Sequence, residues 1–128
     1  MAARRHVIAV LDDDAVVRHA VANLLAAHGY ATELYGSAEE FLSAKTSAAT
    51  CLVVDVELGD ISGVELARHL AAGGFKPPVI FMTASDDETL RTQAIEFGCV
   101  AYLYKSRLRE QLIDAVAKAT VSKPPSKR

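Results

Sequence analysis

Val7-Ile8-Ala9-Val10-Leu11-Asp12-Asp13-Asp14 is the stretch that decides the fold: five apolar residues run, with no turn signal, into three carboxylates. The pattern recurs down the chain. Apolar runs at 52–54, 79–82 and 100–104 end at Asp55, Thr83 and Lys105. Runs that are apolar on both faces suit parallel strands covered by helices on each side. Parallel strands place those polar residues on one rim, and open α/β sheets bind ligands outside the carboxyl ends of their strands. The carboxylates, the hydroxyl and the ammonium therefore read as one site, of a kind suited to a divalent cation and a phosphoryl group.

The segments between the runs carry helical periodicity. Val16, Val17, Ala20, Val21, Leu24 and Leu25 recur at three- and four-residue steps, and Gly29 stops that helix. A short second strand is expected at 31–35, followed by a helix opened by Ser37 and Glu40 as a capping box. Ser62 with Glu65 opens the next helix, which carries Leu66 and Leu70. Ser85 with Glu88 is expected to cap a helix carrying Leu90, Ala94 and Phe97, ended by Gly98. Leu108, Leu112, Ile113 and Val116 mark the last amphipathic helix. Five βα units predict an α/β fold: a doubly wound five-stranded parallel sheet of order 2-1-3-4-5 between two helical layers, flavodoxin-like. That order brings Asp12, Asp13 and Asp55 to the switch point.

The whole chain narrows the function classes. Its 128 residues make one ordinary domain. A net charge of -2 argues against general binding to nucleic acid or to a membrane surface. No apolar stretch approaches the roughly 20 residues of a membrane helix, and Arg4-Arg5 precedes too short a run to be an export signal, so a cytoplasmic location is expected. Cys51 and Cys99 lack C-x-x-C spacing and read as small core residues. His6, His19, His28 and His69 share no metal-ligand spacing. No glycine-rich nucleotide loop is present, and Lys105, Arg107 and Arg109 lack the stacking aromatics of a nucleic-acid surface.

The rim residues have definite capacities. Mg²⁺ takes oxygen ligands in octahedral geometry and is held by one or two carboxylates plus phosphate oxygens. Asp13 and Asp55 can supply carboxylates, with Asp12 acting directly or through water. A lone strand-end carboxylate such as Asp55 can act as a nucleophile and form an acyl phosphate. A cation and the ammonium of Lys105 can then neutralise the moving phosphoryl oxygens from opposite sides, while Thr83 donates a hydrogen bond. Taken singly, Asp12-Asp13-Asp14 reads as helix N-terminal charge, Thr83 as a strand-end hydroxyl, Lys105 as a surface lysine and Tyr102 as a half-buried aromatic. Their joint spacing overturns those readings.

The chain resembles the receiver domains of two-component response regulators, closest to the FixJ-like subfamily. The resemblance is carried by Val10-Leu11-Asp12-Asp13-Asp14 with Val17-Arg18, Ser37-Ala38-Glu39-Glu40-Phe41-Leu42, Val53-Val54-Asp55 with Ser62-Gly63-Val64-Glu65-Leu66, Phe81-Met82-Thr83-Ala84, and Gly98 through Tyr102 to Lys105. It implies that Asp55 accepts a phosphoryl group from a histidine kinase or phosphotransfer protein. Asp12, Asp13, Asp55 and the backbone carbonyl of Glu57 would hold Mg²⁺. Thr83 and Tyr102 would form the switch pair, and Lys105 the clamp on the phosphoryl group. The fourth helix, fifth strand and fifth helix would meet an output protein or domain, with a phosphorylation-dependent homodimer among the partners. Residues 1–121 would be the receiver, and 122–128, which contain Pro124-Pro125, a disordered tail or linker stub.

Three departures from the family pattern carry expectations of their own. Gly59 replaces the usual proline and should loosen the loop after Asp55. Ser106 replaces the proline after the lysine, where the family keeps a cis bond. A non-proline cis bond costs about 2.5–4 kcal/mol, so Lys105–Ser106 is expected to be trans. Glu57 adds a carboxylate within reach of the metal or an incoming water. Three other functions compete with a single-domain switch that modifies only itself. One is a receiver cut from a helix-turn-helix transcription factor. Another is a Mg²⁺-dependent phosphatase with an aspartate nucleophile, disfavoured by the absence of a second aspartate two residues after Asp55. The last is a phosphate-independent binding module.

Overall fold

A computed structural model of the chain describes residues 6–44 and 47–121. The strands are β1 (Val7–Leu11), β2 (Ala31–Tyr35), β3 (Cys51–Asp55), β4 (Val79–Thr83) and β5 (Ala101–Tyr104). They alternate with α1 (Ala15–Ala27), α2 (Ala38–Ser43), α3 (Gly63–Ala72), α4 (Glu88–Phe97) and α5 (Leu108–Val121). All four strand pairings are parallel, in the expected order β2-β1-β3-β4-β5. The proposed tail at 122–128, Arg4-Arg5, and residues 45 and 46 of the polar loop before β3 lie outside the described residues.

The strand period of two splits the core into two layers. Ala9, Leu11, Leu52, Val54, Val79 and Phe81 face one side, where they pack with Phe41 of α2, Val64 and Leu66 of α3 and Ala94 of α4. Ile8, Val10, Cys51, Val53, Ile80 and Met82 face the other, against Val21 and Leu25 of α1 and Leu112 and Val116 of α5. Every residue of β3 and β4 is buried, as continuous apolar runs require in a covered parallel sheet. No described helix is long and apolar enough to cross a membrane.

Helix starts follow the sequence with two corrections. The Ser62–Glu65 capping box of α3 forms in both directions. At α2, Ser37 Oγ accepts from the Glu40 amide at 3.0 Å, but the Glu40 carboxylate takes the Gly36 amide at 2.6 Å, so the box closes one residue early. Helix α4 is capped by Asp87, whose Oδ1 accepts from the amides of Thr89 and Leu90, and not by Ser85. A carboxylate directly before the helix can serve two of its free amides at once. Ser85 Oγ instead accepts from the Asp87 amide, one step upstream.

Gly59 takes a backbone setting that the sequence alone did not show. Its φ is +99°, in the left-handed region that proline cannot enter. The glycine is thus the residue that this turn demands, not merely a looser substitute. Gly59→Ala should cost about 1–2 kcal/mol, the usual penalty for a side chain in that region. Gly59→Pro should cost more than Gly59→Ala, because its ring forbids the turn altogether. Urea unfolding of the three proteins tests this order; a proline variant as stable as the parent would reject it.

Candidate site at the carboxyl edge of the sheet

β1 and β3 are neighbours, so their ends deliver Asp12, Asp13 and Asp55 to one spot. Each offers a carboxylate oxygen, and the three oxygens lie within 4.8 Å of one another. It is the one cluster of metal-ligating side chains found among the described residues, and none of the described histidines joins it. Asp12 and Asp55 are buried, whereas Asp13 is exposed. The two cysteines are free, as expected, and burial raises the Cys51 thiol to about 12.

Lys105 closes the cluster. Its Nζ lies 2.7 Å from Asp12 Oδ2 and 3.0 Å from Asp55 Oδ2, and only the second contact has the direction of a hydrogen bond. No described peptide bond is cis, so Lys105–Ser106 is trans, as expected, and the lysine still reaches both carboxylates. A 3₁₀ turn at Lys105–Arg107 starts straight after β5 and leads into α5. Burial opposes the charge on Lys105, but the two carboxylates outweigh it and raise its pKa.

Asp55 is held differently on its two oxygens. Oδ1 accepts from the Glu57 amide at 3.0 Å, while Oδ2 meets Lys105. Burial nevertheless raises its pKa above the ordinary value, against those two contacts and with help from the Asp12 charge. Burial therefore disfavours an ionised Asp55, and a nearby cation would relieve that cost. Gly63 makes room for this strand end: a Cβ there would overlap the Asp55 carbonyl oxygen and sit 2.9 Å from Val54 Cγ1.

The other expected residues lie on or just past β3, β4 and β5, with Thr83 on the strand next to that of Asp55. Thr83 is buried at the end of β4, its Oγ1 accepting from the Ser85 amide at 3.0 Å and donating weakly to the Ser85 carbonyl at 3.3 Å. Tyr102 points into the α4 layer, where its hydroxyl is buried with no hydrogen-bond partner among the described residues. Burial raises its pKa, which the nearby Thr83 hydroxyl partly offsets. The Glu57 side chain is exposed.

Two residues that the sequence reading gave no role brace the rim. Arg18 Nη1 donates to the Asp12 carbonyl at 2.7 Å. Asp60 accepts from the amides of Ile61 (3.0 Å), Glu39 (3.1 Å) and Ala38 (3.4 Å). Arg18 was visible only as a match to the family pattern. Nothing local marks Asp60, because two of its partners lie more than twenty residues upstream.

A family model described as the response regulator receiver domain matches residues 8–117. The response regulator protein TodT of Pseudomonas putida is 33% identical across the whole chain, which covers 56% of TodT. The transcriptional regulatory protein FixJ of Azorhizobium caulinodans is 39% identical over 75% of the chain, which covers 46% of FixJ. The chain thus spans about half the length of the curated relatives it matches. Among solved structures, the FixJ-N crystal structure superposes with a TM-score of 0.80 at 29% identity, covering 91% of this chain and 94% of that one.

Proposed function

The chain belongs to the response regulator receiver domain family, and from that premise we propose that it is a phosphorylation-dependent switch in which Asp55 accepts a phosphoryl group from a histidine kinase or phosphotransfer protein. One observation carries this reading: Lys105 Nζ bridges the carboxylates of Asp12 and Asp55 at the point where both join Asp13. An all-oxygen donor set with an internal ammonium counter-ion fits Mg²⁺, which prefers carboxylate and phosphate oxygens. Asp13, Asp55, Asp12 and the Glu57 carbonyl would hold it, and when bound it supplies positive charge to the phosphoryl oxygens.

In the transfer, an Asp55 carboxylate oxygen forms a bond to phosphorus as the bond from phosphorus to the donor nitrogen breaks, and the donor imidazole leaves with that electron pair. The raised basicity of Asp55 favours its attack. Lys105 lets go of the carboxylate oxygen and follows the charge onto a phosphoryl oxygen. Thr83 exchanges its long bond to the Ser85 carbonyl for a phosphoryl oxygen. The unpartnered Tyr102 hydroxyl beside it can respond to that movement. Contacts that exist only in the phosphorylated state bias the α4–β5–α5 face toward its partner-binding form. Thr83→Ala should still take up phosphate yet lose most of the phosphorylation-induced gain in partner affinity, and unchanged coupling would remove Thr83 from the switch.

Chelation of divalent metal should abolish phosphoryl uptake from a small acyl phosphate, and added Mg²⁺ should restore it. Asp13→Asn should weaken Mg²⁺ binding more than Asp12→Asn. Asp12 is buried, its Oδ1 accepting from the Asp14 amide and its Oδ2 ion-paired with Lys105, whereas Asp13 is exposed and open to a cation. Equal losses in a calorimetric titration would reject the ranking. Sustained turnover of phosphate esters would favour the phosphatase reading over a switch that modifies only itself.

In this reading residues 1–121 form the receiver and 122–128 a tail or linker. A second reading is favoured by the greater length of the relatives, of which the chain covers about half. It makes this domain the receiver of a longer regulator with a DNA-binding output domain. The length of the full open reading frame separates the two. In both, the domain works in the cytoplasm and does not itself bind nucleic acid.

A further inference from the structure

We propose that Asp60 is a positioning residue for the metal site, tying the loop between β3 and α3 to the first turn of α2 so that metal affinity and the order of α2 are coupled. The proposal rests on the metal-site reading above. The loop after Asp55 carries the Glu57 carbonyl, and a Cβ added at Gly59 would lie 3.5 Å from Asp13 Oδ2. The loop therefore runs directly beside the acidic cluster. One residue further on, the Asp60 carboxylate accepts from the amides of Ala38 and Glu39 with one oxygen each, and from its neighbour Ile61.

Those two amides open α2, where a helix has free N–H groups and attracts negative charge. The Glu39 amide foremost, with those of Ile61 and Ala38, holds the Asp60 carboxyl below its usual value. The residues leading into α2 also pass close to Arg18. Arg18, bonded to the Asp12 carbonyl, has Nη1 3.2 Å from where a Cβ on Gly36 would stand. The start of α2 is thus hydrogen-bonded through Asp60 to the phosphoacceptor loop, and the residue before its cap lies near the arginine that holds the Asp12 carbonyl. Ser37 caps the same helix through the Glu40 amide but bonds to neither loop, and so supplies a control.

The test pairs Mg²⁺ titration with amide hydrogen exchange on the whole chain. Asp60→Ala should weaken Mg²⁺ affinity about tenfold, as removal of groups that orient metal ligands commonly does. It should also speed exchange of the Ala38 and Glu39 amides at least about threefold. Asp60→Asn keeps one acceptor oxygen and should fall between. Ser37→Ala should loosen α2 and leave Mg²⁺ affinity unchanged. Because coupling is reciprocal, Mg²⁺ should slow exchange of the two amides in the parent and in Ser37→Ala but not in Asp60→Ala. Parent-like Mg²⁺ affinity in Asp60→Ala, or an equal loss in Ser37→Ala, would overturn the proposal and leave Asp60 a simple helix cap. A parent that binds no Mg²⁺ would instead refute the metal-site reading, and this proposal with it.

Discussion

Replacing Asp55 with asparagine should abolish phosphoryl uptake while leaving the fold intact and, without metal, more stable than the parent. The amide keeps the shape of the side chain and removes the nucleophile. The stability gain follows from the raised pKa of Asp55, caused first by burial. A carboxyl whose folded pKa lies above its unfolded value adds stability that is complete below the unfolded value and lost as pH rises through the folded one. The parent therefore loses stability as pH rises through the folded pKa of Asp55, and the asparagine variant, which does not titrate there, does not. Its melting temperature in chelator should exceed the parent's at neutral pH, and the gap should shrink in acid. A variant that melts lower than the parent at neutral pH would contradict this account of the site's electrostatics.

The second large effect is expected at Lys105. Lys105→Met removes the ammonium between a fully buried Asp12 and a nearly buried Asp55. Breaking a buried pair by deleting one partner costs about 3–5 kcal/mol, because the charge left behind has no compensation. The lysine keeps 19% of its side-chain surface exposed, so the lower end, about 3 kcal/mol, is the expected loss in metal-free protein. That is a large share of a net stability of about 5–15 kcal/mol. Mg²⁺ should return most of it, since a ligand at a hundredfold its Kd stabilises by about 2.7 kcal/mol. The fold of the variant thus becomes metal-dependent. Phosphoryl uptake should still fall about a hundredfold or more, as when one preorganised charge contact is deleted. Denaturant titrations with and without Mg²⁺ check the first claim. Equal stability of parent and variant in chelator would show that Lys105 does not neutralise the pair.

The rim was legible because its residues obey a local rule: each ends an apolar strand, and a parallel sheet brings strand ends together. Asp12, Asp13, Asp55 and Lys105 could be grouped from that alone, and the observed strand order places them as expected. Less legible were the features set by backbone torsion or by distant partners. Gly59 looked like a relaxed version of proline until its positive φ showed that proline cannot stand there. Ser85 and Asp87 both suit a helix start, and only the geometry of the loop after Thr83, where the Ser85 amide is already engaged, decides between them. Asp60 looks like any exposed loop aspartate, since its role depends on α2 arriving from the other end of the site.

The most direct test of the central claim is the intact mass of the chain, with site localisation, after incubation with a small acyl phosphate and Mg²⁺. The account predicts a gain of one phosphoryl group, located on Asp55 and absent when metal is chelated. A chain that gains none, or that carries the group on any other residue, would contradict it.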